Sequence, residues 1–445
     1  MGLGKTAQVL ISIKQFPERG PVVVVCPASL KENWEAEAAR VGIRATVLEG
    51  TRPTARTRAL LGRRRGFYII NYDVLFKRRK TPGRKAAPGW LQELLQLDPW
   101  MVVTDEGHYL KSRTSKRSKA VKTLTQASPH YIDVTGTPLT SRPAELWPAL
   151  NMLWPEEFPA FMEFAMKHCG PRKRFWGWEF KGASRLDELH EQLRALGMIR
   201  RLKADVLKDL PPKRRFVVPV ELHDPDGEYR EAERQFIRWM RKNFGKRKAD
   251  KAAKAQQMVQ MGYLARLAGR LKRPAVEEWI NTFQENTNGK LIVFGVHKKV
   301  VRGLHRVYHH QAVLVDGSVP SGERQQAFRG FARNRSIKLF FGNIQAAGTG
   351  WNGTAASTVV FAEMGWTPGE HTQCEDRINR IGQTEPADIY YLVARGTIEE
   401  DRIKTLEKKS KVVGGVLDAN QSEFSYSTTP VWDETAKRML QRYGG

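Results

Sequence analysis

The chain has 445 residues, of which 41% are hydrophobic and 9% aromatic, so it is long enough for two or three domains and too apolar to be disordered. Its 74 lysines and arginines against 47 aspartates and glutamates give a formal charge of +27, which favours a nucleic-acid partner over a solvated basic surface or a ribosomal or membrane-surface protein. The three cysteines form no C-x-x-C pair, which argues against a zinc module or a disulfide framework.

Short apolar runs rich in β-branched and aromatic residues predict buried parallel strands in two groups. The first group lies at residues 21–26, 67–71, 101–104 and 131–135, and the second at 291–294, 312–315, 338–341, 358–362 and 389–393. Helical stretches such as 30–40 and 322–332 separate the runs, as in βαβ units. The predicted fold class is therefore α/β with two doubly wound parallel sheets, and ligands are expected at the carboxyl ends of the strands.

A region of different composition, about 143–288, lies between the two groups and has helical periodicity with few strand-like runs. Paired prolines in Leu210-Pro-Pro-Lys213 predict a stiff connector. The predicted domains are a first lobe at 1–200 with a helical insertion from about 143, a linker at 201–215, a second lobe at 216–410 with a helical insertion at about 224–285, and a C-terminal brace or tail at 411–445.

The chain opens on a phosphate-loop pattern, Met1-Gly-Leu-Gly-Lys-Thr6. Glycines allow backbone N–H groups to face phosphate oxygens at the start of a helix, so the predicted ATP-binding residues are Gly2, Leu3, Gly4, Lys5 and Thr6. Lys5 would neutralise the β- and γ-phosphates, and the Thr6 hydroxyl would bind Mg²⁺. A glycine turn with an exposed lysine is the alternative.

An acidic pair, Asp105 and Glu106, follows the strand that ends near residue 104. A carboxylate in that place can hold Mg²⁺, the role predicted for Asp105, and its neighbour Glu106 can polarise the attacking water. His108 would be a polar link between this site and the other lobe, with a cap histidine as the alternative. A helix N-cap is the alternative for the pair.

The stretch Asp133-Val-Thr-Gly-Thr-Pro-Leu139 ends another strand with hydroxyls and a glycine. Thr135, Gly136 and Thr137 are predicted to sense the γ-phosphate or to couple the nucleotide to a polymer site. A simple strand-exit turn is equally consistent with this motif.

Two arginines, Arg377 and Arg380, are spaced so that both can lie on one face of a helix. An arginine supplied from a second lobe stabilises the charge of a transferred phosphoryl group, so both are predicted to be catalytic. A surface ion pair with Glu375 or Asp376 is the alternative for each. The order of phosphate loop, acidic pair and distant arginines favours an NTP site completed by a second lobe.

Together these motifs resemble the Swi/Snf-type ATPases of helicase superfamily two, from Met1 to about Leu406. The motifs that carry the resemblance are Val22-Val-Val-Val-Cys-Pro-Ala-Ser-Leu-Lys-Glu-Asn-Trp34, Asp105-Glu-Gly-His108, Thr135-Gly-Thr-Pro-Leu139, Glu145-Leu-Trp147, Gly348-Thr-Gly-Trp-Asn352 and the stretch from Gln373 to Gln383. Five further stretches are similar to the annealing-helicase branch: Trp176-Gly-Trp178, Arg200-Arg-Leu-Lys-Ala-Asp-Val-Leu207, Leu210-Pro-Pro212, Thr358-Val-Val-Phe-Ala-Glu363 and Trp366-Thr-Pro-Gly369.

This resemblance implies two RecA-like lobes with helical insertions, the use of ATP and Mg²⁺, and translocation on double-stranded or branched DNA without strand separation, with remodelling or strand annealing as the output. It also implies a set of residue roles. Pro27, Ser29, Lys31, Asn33, Trp34 and Asn352 would contact DNA, Gly348 and Gly350 would couple nucleotide to DNA, and Gln373, Arg377 and Arg380 would reach the γ-phosphate.

One departure from the family is that the chain starts inside the phosphate loop, so the first lobe lacks its first strand. A misassigned start is the favoured explanation, ahead of a separate upstream piece or an impaired site. The absence of a long apolar stretch or signal peptide predicts an intracellular protein without a membrane partner. A monomeric motor is expected. A compact motor without chromatin-reading modules favours the cytoplasm of a bacterium or phage-infected cell, with the nucleus expected if the host is eukaryotic. A DNA-binding scaffold without ATPase activity and a strand-separating DNA or RNA helicase are the competing hypotheses.

Overall fold

The computed structural model describes residues 3–16, 19–51, 53–61, 66–76, 89–136, 138–139, 142–175, 177–243, 250–348, 350–403 and 406. The chain divides into two compact units, one of residues 2–199 and one of residues 200–445 together with residue 1. Each unit contains its own parallel sheet, which confirms the predicted α/β class with two parallel-sheet lobes. The predicted domain boundaries stay predictions.

The sheet of the first unit has five parallel strands in the order β2-β3-β1-β4-β5. Its strands are β1 (Val22–Cys26), β2 (Ala45–Val47), β3 (Phe67–Asn71), β4 (Met101–Asp105) and β5 (His130–Val134). Strand β1 is buried along its whole length because its valines pack into apolar clusters on both faces of the sheet. In register, Val25 pairs with Thr104 and Thr104 pairs with Asp133, so the carboxyl ends of β1, β4 and β5 lie side by side.

Helices and a short hairpin complete the first unit. The helices are α1 (Lys5–Lys14), α2 (Lys31–Arg40), α3 (Ala55–Leu60), α4 (Leu91–Gln96), α5 (Lys116–Gln126), α6 (Trp147–Leu153), α7 (Phe161–His168) and α8 (Leu186–Ala195), and the hairpin strands are β6 (Arg172–Arg174) and β7 (Gly177–Glu179). Helices α1 and α2 cover one face of the sheet through Leu10, Ile13 and Trp34.

The sheet of the second unit has six parallel strands in the order β10-β11-β9-β12-β13-β8. They are β8 (Lys213–Val220), β9 (Leu291–Gly295), β10 (Ala312–Val315), β11 (Leu339–Asn343), β12 (Thr358–Phe361) and β13 (Ala387–Ala394). The helices are α9 (Lys203–Val206), α10 (Glu228–Asn243), α11 (Asp250–Leu271), α12 (Arg273–Asn286), α13 (Lys298–Val307), α14 (Ser321–Arg333), α15 (Ile344–Ala347) and α16 (Pro368–Glu375).

Strand β8 was missed by the sequence analysis, which placed its first residues in the linker and expected few strands in the region 143–288. Its sequence mixes cationic and apolar residues and contains Pro219, so it lacks the continuous apolar run that marks the other strands. An edge position explains that composition. Among the described strands, β8 has β13 as its single neighbour, and a proline N is tolerated where no second neighbour needs a donor. No helix in the described ranges has the length and apolar character needed to span a bilayer.

Candidate nucleotide site

The phosphate loop leads into helix α1, which begins at Lys5. Gly4 precedes it with a φ of 71°, a left-handed conformation that favours glycine, and as the N-cap residue it provides no side-chain cap. Gln8 braces the loop, since its side-chain amide donates to the Leu3 carbonyl at 2.8 Å. The amino end of α1 is therefore shaped to receive an anion beside Lys5. Gly2 lies outside the described residues.

Asp105 ends strand β4 and is almost completely buried. Its Oδ2 accepts a hydrogen bond from the indole Nε1 of Trp34 at 2.7 Å, and its Oδ1 accepts one from the backbone N–H of Glu106 at 3.0 Å. Burial and then the charge of Glu106 raise the pKa of Asp105 to about 6, while the hydrogen bond from Trp34 and the charge of Lys5 oppose that rise. A bound cation would relieve the cost of burying this carboxylate.

These features fit Mg²⁺, which proteins often bind through one or two carboxylates together with substrate phosphates. Asp105 and the half-buried Thr6 are the residues of the first unit that would hold it. Within the described part of the chain there is no cluster of three or more histidine, cysteine or acidic side chains that could bind a metal by itself.

Glu106 has a φ of 56°, a left-handed conformation that costs a residue with a Cβ and that recurs at functional sites. Its Oε2 lies 3.1 Å from Nδ1 of His108, and both side chains are mostly buried. The imidazole therefore orients the carboxylate of Glu106, which is what a group that positions water requires.

Asp133 is a residue of this site to which the sequence analysis gave no role. Its Oδ1 accepts a hydrogen bond from the Thr104 hydroxyl at 2.6 Å, and the same hydroxyl lies 2.8 Å from the Tyr131 hydroxyl. Burial raises the pKa of Asp133 to about 6. A Cβ on Gly107 would lie only 2.0 Å from the carboxylate, so Gly107 is needed for Asp133 to pack beneath the acidic pair. An acidic residue inside the strand sequence His-Tyr-Ile-Asp-Val was the available signal.

The residues predicted to couple the site or to contact DNA differ in their exposure to solvent. Thr135 and Gly136 follow β5 and are half-buried, whereas Thr137 lies outside the described residues. Ser29 and Asn33 are exposed, Lys31 is half-buried, and Pro27 is buried.

The position of Trp34 corrects the prediction that this residue contacts DNA. Its side chain is 0% exposed and its indole N–H is bonded to Asp105, so it cannot present itself to DNA. Its role is to hold the acidic side chain at the end of β4.

The two arginines lie in the second unit. The prediction that they share one face of a helix is wrong. Helix α16 ends at Glu375, and Arg377 and Arg380 follow in a turn and a bend. The Nη1 atoms of both donate to the carbonyl oxygen of Trp351, at 3.0 Å and 3.1 Å. Arg377 also donates through Nε to the carbonyl of Gln373, a half-buried residue of α16, at 3.0 Å. The turn thus brings two guanidinium groups to one point.

The loop that receives these arginines is fixed by Trp351. The indole stacks on Phe328 and Phe340 with ring centroids 4.7 Å and 4.5 Å away, and Gly353 N donates to the Arg377 carbonyl at 2.9 Å. Gly350 has a φ of 84°, and the exposed Asn352 accepts from the backbone N–H of Thr354 at 3.2 Å. The loop and the arginine turn are therefore one hydrogen-bonded structure.

Acidic residues beside the arginines pair with the connector. Glu375 accepts two hydrogen bonds from Arg215, at 2.7 Å and 2.6 Å, and one from Lys213 at 3.1 Å, while Asp376 lies 2.9 Å from Nζ of Lys203. Burial alone would raise the pKa of Glu375, but the charges of Lys213 and Arg215 hold it well below its usual range. Both carboxylates are buried and bonded to cations of the connector.

Comparison with known proteins gives a consistent result. The model of the SNF2-related domain matches residues 1–269, and that of the helicase conserved C-terminal domain matches residues 272–382. The mouse (Mus musculus) protein named DNA annealing helicase and endonuclease ZRANB3 is 33% identical over 445 residues, with 95% of this chain and 39% of that protein covered.

A second relative is the Xenopus tropicalis SWI/SNF-related matrix-associated actin-dependent regulator of chromatin subfamily A-like protein 1. It is 31% identical, with 99% of this chain and 45% of that protein covered. The chain thus spans about two fifths of the length of these relatives. Among solved structures, a Sulfolobus solfataricus SWI2/SNF2 ATPase core in complex with dsDNA is 23% identical with a TM-score of 0.41, and 99% of this chain and 90% of that one are covered.

Proposed function

Since the chain belongs to the SNF2-related family of helicase-like ATPases, we propose that it hydrolyses ATP with Mg²⁺ and couples hydrolysis to translocation on double-stranded DNA. The single observation that carries the proposal is electrostatic. Asp105 is buried at the carboxyl end of β4 with the Trp34 indole on Oδ2 and the Glu106 N–H on Oδ1, and the charge of Lys5 opposes the rise that burial causes in its pKa. This supports a site in which Lys5 serves the phosphates and Asp105 the metal.

Each candidate site residue of the first unit has a role in this proposal. The amino end of α1 and Lys5 hold the β- and γ-phosphates, and Thr6 and Asp105 hold Mg²⁺. The metal supplies positive charge to the phosphate oxygens when it is bound. Glu106 polarises the attacking water, and His108 keeps its carboxylate oriented through the 3.1 Å contact.

Two arginines of the second unit supply further positive charge. Arg377 and Arg380 stabilise the charge that develops on the transferred phosphoryl group, and Gln373 lies in the same segment. Their present acceptor, the Trp351 carbonyl, is a neutral group that a phosphate oxygen can replace.

DNA is the proposed polymer for two reasons. The formal charge of +27 fits a polyanion, and the relatives include a protein named a DNA annealing helicase. Duplex or branched DNA, a monomeric motor, and a cytoplasmic or nucleoid location belong to the proposal. Exposed Ser29 and Asn33, half-buried Lys31 and exposed Asn352 are the residues offered for DNA contact.

The test is ATPase activity with and without duplex DNA for the wild-type chain, Lys5→Ala and Glu106→Gln. We expect stimulation by duplex, loss of turnover in both variants, and retained ATP binding in Glu106→Gln, because only the water-polarising group is removed. Glu285→Gln, at an exposed carboxylate of α12, is the matched control and should be as active as the wild type.

Two outcomes would favour other functions. Duplex binding without ATPase activity in the wild type would support a DNA-binding scaffold. Unwinding of a duplex, rather than displacement of a third strand from a triplex, would support a strand-separating helicase. Normal turnover by Glu106→Gln would remove that residue from the proposed role.

A further inference from the structure

The hairpin of β6 and β7 in the first unit exposes aromatic side chains among cations. Lys173 pairs with Trp178 and Arg174 pairs with Gly177 across the antiparallel ladder. The side chain of Phe175 is 75% exposed and that of Trp178 is 45% exposed. Residues this large usually gain free energy by burial, so two exposed together indicate a contact surface.

The stem of this hairpin is held rigidly. Gly170 and Gly182 approach so closely that a Cβ on either would meet backbone atoms of the other at about 3.0 Å. Gly182 N donates to the Cys169 carbonyl at 3.0 Å, and Phe180 packs edge-on against Phe161 of α7. The base of the hairpin is therefore tied to α7 and to the segment that follows it.

The net positive charge of the hairpin favours an anionic partner. Residues 172–181 contain four cations, Arg172, Lys173, Arg174 and Lys181, and one carboxylate, Glu179. Glu179 is already paired with Arg174 at 3.2 Å and with Lys181 at 2.5 Å. Among the ion pairs of the described residues none involves Arg172 or Lys173, so positive charge remains for an anionic ligand.

The pairing of Lys173 with Trp178 places an ammonium and an indole on one face of the hairpin, because directly opposite residues of an antiparallel ladder share a face. An indole offers a stacking surface to a nucleobase, and an ammonium binds the adjoining phosphate. In a duplex the faces of the bases are covered by their neighbours, whereas an unpaired base has a free face.

We propose that this hairpin binds unpaired bases of a DNA strand, with Trp178 stacking on a base and Lys173 contacting the phosphate beside it. The inference rests on the proposed function in taking DNA as the polymer. It deepens that function, since it assigns to the hairpin the recognition of a strand that leaves the duplex.

The experiment compares the full chain and its variants on two DNAs, a blunt duplex and the same duplex with a single-stranded arm, by fluorescence anisotropy. The arm carries 2-aminopurine, whose emission falls when it stacks. Trp178→Ala should weaken binding of the armed DNA by about 5- to 100-fold, the range of one stacked base, and should abolish the fall in emission. Binding of the blunt duplex should not change.

Three controls sharpen the comparison. Trp178→Phe keeps a stacking ring and should restore most of the affinity. Tyr263→Ala is the control for Trp178→Ala, because Tyr263 on α11 is an aromatic residue with a similar exposed fraction of 46%. Lys119→Ala is the control for Lys173→Ala, because Lys119 is an exposed lysine of α5. Neither of these control variants should alter binding of the armed DNA, whereas Lys173→Ala should weaken it.

Wild-type affinity of Trp178→Ala for the armed DNA would overturn the inference. An equal loss on both DNAs would also overturn it, because the contact would then not depend on unpaired bases. Failure of the proposed function is a separate result, namely no stimulation of wild-type ATPase activity by either DNA.

Discussion

Arg215 holds Glu375 through two parallel hydrogen bonds of 2.7 Å and 2.6 Å, although 160 residues separate them in the chain. Glu375 is the last residue of helix α16, and Arg377 and Arg380 follow it. The Tyr391 hydroxyl donates to the same carboxylate at 2.7 Å. The first residues of β8 therefore fix the position of the segment that carries the two arginines.

Removing one partner of this buried pair should destabilise the second unit. We expect Arg215→Met to lower the free energy of unfolding by less than the roughly 3–5 kcal/mol of a buried charge left without any partner, because Lys213 and Tyr391 still contact the Glu375 carboxylate. Urea unfolding is the measurement. Arg214, its neighbour on β8, pairs with Asp388 at the surface, so Arg214→Ala should leave the midpoint nearly unchanged. Equal losses in the two variants would contradict this account.

Lys203 should influence the reaction rate without touching the nucleotide. It binds Asp376 at 2.9 Å and donates to the carbonyl of Asn379, which precedes Arg380. We expect Lys203→Met to lower kcat by up to about 100-fold, since small displacements of catalytic groups have effects of that size, while KM for ATP is retained. Lys208→Ala, an exposed change in the same connector, is the control. A changed KM with normal kcat would show that Lys203 does not act through the arginines.

Trp34 should set the pH at which the site loses its magnesium ligand. Burial raises the pKa of Asp105 to about 6, and the hydrogen bond from Trp34 works against that rise. Trp34→Phe removes the bond, so the pKa should rise further and the acid limb of the pH–rate profile should move to higher pH. Tyr72→Phe is the control, because its hydroxyl donates to the backbone carbonyl of Asp105 at 2.8 Å and not to the carboxylate. An unshifted acid limb in Trp34→Phe would mean that Asp105 does not limit activity at low pH.

Asp133 should make the protein less stable as the pH rises. Its folded-state pKa of about 6 lies above the value of an unfolded chain, so the ionised form is penalised only in the folded state. Stability is therefore lost between about pH 4 and pH 6, and the full penalty applies above pH 6.

The variant Asp133→Asn keeps an acceptor for Thr104 and removes this charge. At pH 8, without nucleotide, it should unfold at a higher urea concentration than the wild type, with a gain of up to about 3 kcal/mol that disappears near pH 4. A gain that is the same at both pH values would refute the assignment to Asp133 ionisation.

The effect of Arg377 and Arg380 on turnover can be measured separately from any effect on the stability of the fold. Both donate to the Trp351 carbonyl, so loss of one leaves that oxygen with a partner, and neither variant should unfold the protein. We expect Arg380→Ala to lower turnover by about 10³-fold or more while ATP affinity is spared, as for an arginine that acts in the transition state. The same assay on Arg377→Ala shows whether both guanidinium groups act. An unchanged rate in Arg380→Ala would remove it from the reaction.

Much of the fold was predictable because apolar runs mark central strands regardless of their partners. The runs at 21–26 and 101–104 correspond to β1 and β4, which are buried throughout. Strand β8 was not predictable, because its first three residues, Lys213, Arg214 and Arg215, are cations that make polar contacts and its pattern is not that of a buried strand. The exposed side chains of β6 gave no apolar signal either.

The sequence by itself determined the family, the two-sheet architecture and the residue types of the candidate site, because a phosphate loop, an acidic pair and spaced arginines are local patterns of chemistry. The tertiary structure decided which side chains surround those residues. It placed Trp34 on Asp105 across 71 residues, and Arg215 on Glu375, and it ended α16 before the arginines. The physical reason is that burial and hydrogen-bond partners depend on segments that are distant in the chain, and local spacing contains no information about them.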